Sequence, residues 1–94
     1  MTALFHKNPA ATLDYSLDWS GMMEVGEAIT ATHWSVMPEG ADHVTIDRFL
    51  ENGLRRGVSV RGGRAGYRYR LVCRVETDHG RVMERALTLR LQER

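Results

Sequence analysis

The chain is 94 residues long, 43% hydrophobic and 27% charged, with a formal net charge of +1. These values are typical of one compact globular domain and exclude a disordered chain. No apolar run approaches the roughly 20 residues that cross a bilayer. The first residues also lack the basic start and the apolar stretch of a secretion signal. We therefore expect an intracellular protein with no membrane contact.

Charge is distributed unevenly along the chain. Through residue 47, one basic residue stands against seven acidic ones, whereas from residue 48 onward twelve arginines stand against five acidic residues. Either acidic strands neutralise basic strands on a solvated surface, or the two signs lie on different sides of the domain and dock copies of the chain or a charged partner. Nucleic acid is not the expected partner, because the sequence predicts no recognition helix and the overall balance is close to neutral.

The first eleven residues are predicted to form an N-terminal arm ahead of a domain over residues 12–94. The arm contains Leu4 and Phe5 but shows no alternation and no obvious strand partner. Chain termini are usually mobile unless they are tied down. Phe5 either folds over the open end of the core or anchors the arm against a neighbouring subunit, and it is a candidate partner contact.

Three strands are predicted in the first half of the domain. Residues 13–19 alternate between apolar and polar side chains, which is typical of a half-buried strand. A second strand covers residues 29–36, and a third covers residues 43–50 and ends at an Asn52-Gly53 turn. Of the two tryptophans, Trp34 is expected to be more central in the core than Trp19. The residues predicted to face inward are Leu13, Tyr15, Leu17, Trp19, Thr30, Thr32, Trp34 and Val36.

The second half predicts further strands around Val58 and Val60, over residues 67–77 and over residues 81–91. The strand over residues 67–77 is the longest, and side chains along a strand alternate between its two faces. The single cysteine, Cys73, is expected to be a small buried hydrophobe and excludes an internal disulfide. The buried face is predicted to carry Tyr67, Tyr69, Leu71, Cys73 and Val75, and the wet face Arg68, Arg70 and Arg74.

The fold class that follows is an all-β, immunoglobulin-like antiparallel β-sandwich of about seven strands. Strands of this length with glycine turns between them, and no long helical period, favour a sandwich. Tyr69 follows the glycine turn at Gly66 and begins a long alternating strand. In immunoglobulin-like folds a tyrosine at such a corner sends its hydroxyl back to the upstream backbone. Tyr69 is the candidate for this tyrosine corner, although it could simply be a core aromatic.

No catalytic, cofactor or metal site is predicted. Asp14 and Asp18 share a strand face, but four residues along a strand separate them by roughly 13 Å, which is too far for one metal ion or a glycosidase pair. The four histidines lack metal-site spacing, and the glycines at 62, 63 and 66 lack the lysine and helix of a phosphate loop. The carboxylates are therefore expected to be a solvated face.

Several short motifs occur in order along nearly the whole chain. They are Asn8-Pro9, Leu13-Asp14-Tyr15, Asp18-Trp19, Ile29-Thr30, Trp34-x-Val36, Gly62-Gly63-x-Ala65-Gly66 and Gly80-Arg81-x-x-Glu84-Arg85-x-Leu87-Thr88-Leu89-Arg90. Together these motifs resemble a family of small tailed-phage and prophage proteins, labelled fiber-tail adaptor or head-tail region proteins, which look immunoglobulin-like. Residues 39–57 are longer and more charged than the strands of that family. The resemblance implies a role in virion assembly.

The resulting hypothesis is a non-catalytic structural protein of a tailed phage or prophage, acting as an adaptor in the head-tail or tail-fiber region. Its expected partners are neck, tail or fiber proteins and further copies of itself, and its expected location is the host cytoplasm during assembly and then the virion. The alternative is a free-standing carbohydrate- or peptide-binding module, which would need exposed, clustered aromatic side chains. The candidate partner contacts are Phe5, Asp14, Asp18, Arg68, Arg70 and Arg74, and the candidate structural residues are Trp19, Trp34, Tyr69 and Cys73.

Overall fold

The computed structural model describes residues 3–93 and confirms the all-β prediction. Over these residues the chain forms seven strands and one short 3-10 turn at Ser20–Met22. In this part of the chain no helix is long and apolar enough to cross a membrane. The strands are β1 (Ala3–Lys7), β2 (Thr12–Asp18), β3 (Ile29–Met37), β4 (Thr45–Asn52), β5 (Arg55–Arg61), β6 (Arg68–Thr77) and β7 (Val82–Leu91).

The strands form two sheets that pack into a sandwich. The four-stranded sheet has the order β1-β7-β6-β3, and the three-stranded sheet has the order β2-β5-β4. Four of the five strand pairs are antiparallel, as predicted, but β1 and β7 run parallel. A parallel pair needs a long connection, and these two strands have one because they lie at opposite ends of the chain.

The N-terminal segment departs from the predicted arm over residues 1–11. Residues Ala3–Lys7 are an edge strand in register with β7, from Ala3 opposite Leu87 to Lys7 opposite Leu91. The ring of Phe5 lies 5.3 Å from the ring of Tyr15 on the other sheet. Phe5 thus helps to close one side of the sandwich, and a loose arm does not describe Ala3–Lys7. Met1 and Thr2 lie outside the described residues.

The core lies between the sheets and follows the predicted alternation. Along β6, the exposed and buried residues alternate, because every second side chain points between the sheets. Burying this apolar surface stabilises the fold by about 25 cal/mol for each Å² removed from water. The residues with no exposed surface are Trp19, Val58, Val60, Tyr69, Leu71, Cys73, Val75 and Leu89.

Four residues predicted to face inward, including the predicted central Trp34, are more exposed than expected. The first is Thr30, which is exposed at the irregular start of β3. Leu13 is 38% exposed and Tyr67 is 42% exposed, because Leu13 lies near the start of an edge strand and Tyr67 precedes the first residue of β6. Trp34 lies on β3, the other edge of the four-stranded sheet, and is half-buried. Trp19 rather than Trp34 is therefore the central tryptophan, and the Arg85 guanidinium lies 5.3 Å from the centre of its ring.

The β4–β5 hairpin forms where the Asn52-Gly53 signal predicts a turn. Gly53 has a φ of 61°, a left-handed conformation that glycine adopts without steric cost. The predicted third strand over residues 43–50 is shifted, because β4 begins at Thr45 and continues to Asn52. The Leu54 carbonyl in this turn accepts a hydrogen bond of 3.0 Å from the backbone N–H of Trp19.

Candidate partner-binding surface

Four arginines share the outer face of the four-stranded sheet, and we call Arg68, Arg70, Arg74 and Arg90 the arginine face. Three of them come from β6 and alternate with its buried residues, so these three point away from the core. Arg68 lies directly opposite Arg90 of β7 in the strand register. All four side chains belong to exposed residues. The sheet therefore gathers arginines that are up to 22 positions apart in the sequence.

Among residues 3–93, the four arginines of this face make no close ion pair, although Glu84 of β7 lies opposite Arg74 in the register. On the three-stranded sheet, three of the four arginines have partners: Arg55 with Asp18 at 3.6 Å, Arg56 with Glu51 at 3.1 Å and Arg61 with Asp47 at 3.4 Å. The fourth, Arg48, stands alone on β4, so the arginine face differs in gathering several such arginines on one surface.

The acidic candidates Asp14 and Asp18 lie on the three-stranded sheet, away from the arginine face. Asp18 ends β2, and its carboxylate accepts a 2.9 Å hydrogen bond from the backbone N–H of Ser20. This bond, together with the nearby charges of Arg55 and Arg85, lowers the pKa of Asp18. Asp14 is exposed opposite Ser59 in the register. Asp18 therefore has a local role in the turn after β2, whereas Asp14 is a solvated side chain.

A buried ion pair at the end of the sandwich was missed by the sequence analysis. Glu27 precedes β3, and its side chain has no exposed surface. The guanidinium of Arg81 binds both carboxylate oxygens, with Nε at 2.9 Å from Oε2 and Nη2 in contact with Oε1. The hydroxyl of Thr77 donates to Oε2 at 2.6 Å, and the backbone N–H of Glu24 donates to Oε1 at 2.8 Å. The loop before β3 is thereby tied to the β6–β7 turn.

Close polar contacts at this end of the sandwich shift the pKa values of Glu27 and His79. Hydrogen bonds from Arg81 hold the pKa of Glu27 far below its ordinary value of 4.5. His79 lies beside Glu24, with Nδ1 at 2.9 Å from Oε1, and this contact raises the pKa of His79. Glu24, Glu27 and His79 place possible metal ligands within 4.8 Å of one another. Because both Glu27 oxygens already accept hydrogen bonds, the arrangement works as a structural tie.

The comparison with known protein families decides what kind of protein this is. Residues 7–90 match the model of a family described as podophage GP4 fiber-tail adaptor protein gp77. The chain belongs to this fiber-tail adaptor family. The match extends from the end of β1 to Arg90 of β7, so it includes both sheets and the whole arginine face. The predicted resemblance to phage fiber-tail adaptors is confirmed. A comparison with curated proteins gave no match.

Two of the candidate structural residues of this adaptor-family chain, Tyr69 and Cys73, lie on the buried face of β6. The Tyr69 hydroxyl accepts a 3.0 Å hydrogen bond from the backbone N–H of Arg64, five residues upstream. Cys73 is fully buried, and burial raises the pKa of its thiol to about 11. Because the thiolate is the reactive form, Cys73 is placed as a packing residue.

A groove runs beside the free side of β3 in the same adaptor-family chain. It has a volume of about 320 Å³ and lies between β3 and the segment that leads into β4. The two strands belong to different sheets, so this side of the sandwich is open. Its lining consists of Trp34, Ser35, Val36, Glu39, Gly40, Val44, Thr45 and Ile46.

Proposed function

We propose that this protein is a non-catalytic structural adaptor of a tailed-phage particle and that its arginine face docks onto an acidic surface of another virion protein. Membership of the fiber-tail adaptor family supports the structural role. The clustering of Arg68, Arg70, Arg74 and Arg90 on one exposed face, with no ion pair to any of them within residues 3–93, is the observation that carries the docking site. The partner is a neck, tail or fiber component, and the protein assembles in the host cytoplasm before it enters the virion.

The chemistry of arginine supports an acidic partner. A guanidinium binds a carboxylate through two parallel hydrogen bonds, and this charge-assisted contact is about twice as strong as a neutral hydrogen bond. Complementary charge at an interface raises the association rate and fixes the register of docking. An arginine whose acid lies on the partner makes its pair on assembly, whereas Arg55, Arg56 and Arg61 have made theirs within the chain.

An immunoglobulin-like scaffold is part of this proposal. In that fold, two antiparallel sheets pack with strands A, B, E and D opposite strands C, F and G. Here β2, β5 and β4 lie opposite β3, β6 and β7, in the corresponding chain order, whereas the first strand, β1, pairs with β7 on the opposite sheet. The hydrogen bond from the Arg64 N–H to the Tyr69 hydroxyl gives independent support. Such a scaffold holds its outer faces rigid and leaves them free for partners.

The alternative, a carbohydrate- or peptide-binding module built on aromatic side chains, is not favoured by the aromatic positions. Tyr15 is 8% exposed, and Trp19 and Tyr69 have no exposed surface. Trp34 is half-buried and lines the groove beside β3. Tyr67 is exposed but does not line this groove. A sugar platform needs at least two exposed rings in one groove. Self-association in the particle stays a prediction. Asp14 and the arginine face lie on different sheets, so acidic and basic surfaces of two copies could meet.

Particle incorporation tests the proposal. In a phage lacking this gene, the protein is supplied as wild type, as the double variant Arg68→Glu and Arg70→Glu, or as the control Arg48→Glu on the other sheet. We expect the double variant to fold with an unchanged melting temperature but to fall at least tenfold in purified particles, and we expect Arg48→Glu to incorporate normally. Normal incorporation of the double variant would overturn the arginine face as the docking site.

A further inference from the structure

The strand β3 has a free edge along its whole length. It spans Ile29–Met37, nine residues, and among residues 3–93 its hydrogen-bonded partner strand is β6 alone. A free edge presents a row of unpaired N–H and C=O groups that can pair with another chain. The register is irregular between Ile29 and Ala31 and regular from Ala31 to Met37. The regular stretch is long enough to pair with an added strand of ordinary length.

The other edge strands carry devices that discourage such pairing, whereas the regular part of β3, from Ala31 to Met37, does not. Natural proteins protect edges with charged side chains, bulges or short strands. The strand β2 has two aspartates, β4 has an irregularity and three charged residues, and β1 is five residues long. The sequence of β3, ITATHWSVM, contains no Asp, Glu, Lys or Arg. Its edge is thus the one left open to an incoming strand.

The groove beside β3 determines what an added strand would place toward the core. Its walls include the apolar side chains of Trp34, Val36, Val44 and Ile46. Side chains of a strand paired with β3 alternate between the two faces of the sheet. Every second residue of that strand would therefore enter this groove, where an apolar side chain gains from leaving water.

The remaining residues of a strand added to β3 would point to the outer face of the four-stranded sheet. His33, Ser35 and Met37 point outward on β3, next to Arg74, Val72 and Arg70 of β6 in the register. A strand added to β3 would lie two strand spacings, about 10 Å, from β6. The long side chains of Arg70 and Arg74 can span much of this distance. Within the described residues neither makes an ion pair, although Glu84 lies opposite Arg74 on the side away from β3.

We propose that β3 binds an extended segment of a virion partner in which apolar residues alternate with acidic residues. The segment extends the four-stranded sheet by backbone hydrogen bonds, inserts its apolar side chains into the groove and directs its carboxylates to Arg70 and Arg74. This inference rests on the proposed adaptor role and specifies the form of the partner. A second copy fits less well, because pairing β3 with β3 would bring two arginine faces side by side.

Amide chemical shifts in the intact protein test the inference. The probe is an acetylated and amidated nine-residue peptide in which Glu and Val alternate, and the matched probe replaces each Glu by Lys. We expect the Glu peptide to shift the amide resonances of residues 31–37 and of the groove, and to bind at least fivefold more tightly than the Lys peptide at low salt. Its binding should weaken as salt is added, because exposed charges are screened.

Charge reversal supplies the decisive comparison. The double variant Arg70→Glu and Arg74→Glu should prefer the Lys peptide, whereas Arg48→Glu should behave like the wild type. No shift at residues 31–37 with millimolar peptide, equal affinity for both peptides, or equal shifts on β1 and β2 would overturn the inference. So would concentration-dependent self-association that protects the β3 amides. None of these results would overturn the arginine face as a docking site, provided that Arg68→Glu with Arg70→Glu still lowers incorporation into particles.

Discussion

The hydroxyl of Tyr69 lies 2.6 Å from Nδ1 of His43 and accepts a 3.0 Å hydrogen bond from the backbone N–H of Arg64. With Arg64 as donor, the hydroxyl has one proton to give, and His43 Nδ1 can receive it when the ring proton is on Nε2. Tyr69 belongs to β6, whereas His43 precedes β4 on the other sheet. One buried hydroxyl therefore joins both sheets at this end of the sandwich.

Removal of that hydroxyl should destabilise the protein without changing its shape. Tyr69→Phe leaves the Arg64 N–H and His43 Nδ1 without their partner, which costs about 1–3 kcal/mol. For a domain of this size, each kcal/mol lowers the melting temperature by about 4–8 °C. Tyr67→Phe is the matched control, because Tyr67 is 42% exposed, and its melting temperature should change little. Equal melting temperatures for the two variants, measured by calorimetry, would contradict the contacts of the Tyr69 hydroxyl with Arg64 and His43.

The Glu27–Arg81 pair should make stability depend on pH in the acidic range. The pKa of Glu27 in the folded protein lies far below its ordinary value of 4.5, chiefly because Arg81 donates hydrogen bonds to it. A carboxylate with a lowered pKa adds stability above its unfolded pKa, and that stability is lost as the pH falls toward its folded pKa. Glu27→Gln should therefore melt well below the wild type at pH 7, and the difference should shrink as the pH falls below 4.5.

Glu24→Gln is the control for the Glu27 prediction. The Glu24 side chain is 61% exposed, so its neutralisation should change the melting temperature much less than Glu27→Gln at pH 7. A gap between wild type and Glu27→Gln that stayed constant from pH 7 to pH 3 would contradict the lowered pKa of Glu27.

His79 should titrate above an ordinary histidine because of Glu24. The carboxylate lies 2.9 Å from Nδ1 and raises the pKa of His79 above 6.5. A group with a raised pKa adds stability below its unfolded pKa, and this stability disappears as the pH rises through the folded pKa. NMR titration of the imidazole should give a pKa above 6.5, and Glu24→Gln should lower it. An unchanged His79 pKa in Glu24→Gln would refute the contact, with Glu39→Gln as the control.

The alternation of apolar and polar residues was enough to predict the long strands of the second half of the chain. The longest predicted strand, residues 67–77, differs from β6 by one residue, and the last one, residues 81–91, differs from β7 by one residue. The outward row of Arg68, Arg70 and Arg74 followed from the same alternation. Alternation could not show that Arg90 joins this row, because that depends on the β6–β7 register. It also could not show which arginines find acids on neighbouring strands.

Contacts between distant parts of the chain were beyond sequence reasoning. The parallel pairing of β1 with β7 joins residues more than 80 positions apart, and a five-residue strand carries too short a pattern to reveal it. The hydrogen bond from Arg81 Nε to Glu27 spans 54 positions and joins two loops, where no periodicity exists. Both features arise from the closure of the sandwich and become visible only with the strand order.

Deletion of residues 1–10 should lower the melting temperature by several degrees. It removes the five-residue pairing with β7, the contact of Phe5 with Tyr15, and the buried Lys7 ammonium that donates to the Gly62 carbonyl at 2.7 Å. Phe5→Ala alone should cost about 1–2 kcal/mol, less than the 3–5 of a fully buried phenylalanine, because Phe5 is 40% exposed. Leu4→Ala is the control, since Leu4 is 49% exposed on the other face of β1. An unchanged melting temperature after deletion would contradict the β1–β7 pairing.

Alkylation of Cys73 should report the opening of the core. The thiol is fully buried between the sheets, and burial raises its pKa to about 11. Because the thiolate is the species that reacts, iodoacetamide at pH 8 should modify the folded protein at least a hundredfold more slowly than the protein in urea. The logarithm of the rate should rise in Tyr69→Phe and in the deletion variant in proportion to their loss of unfolding free energy, since reaction then requires unfolding. Rapid modification of the folded wild type would show that β6 does not pack as described.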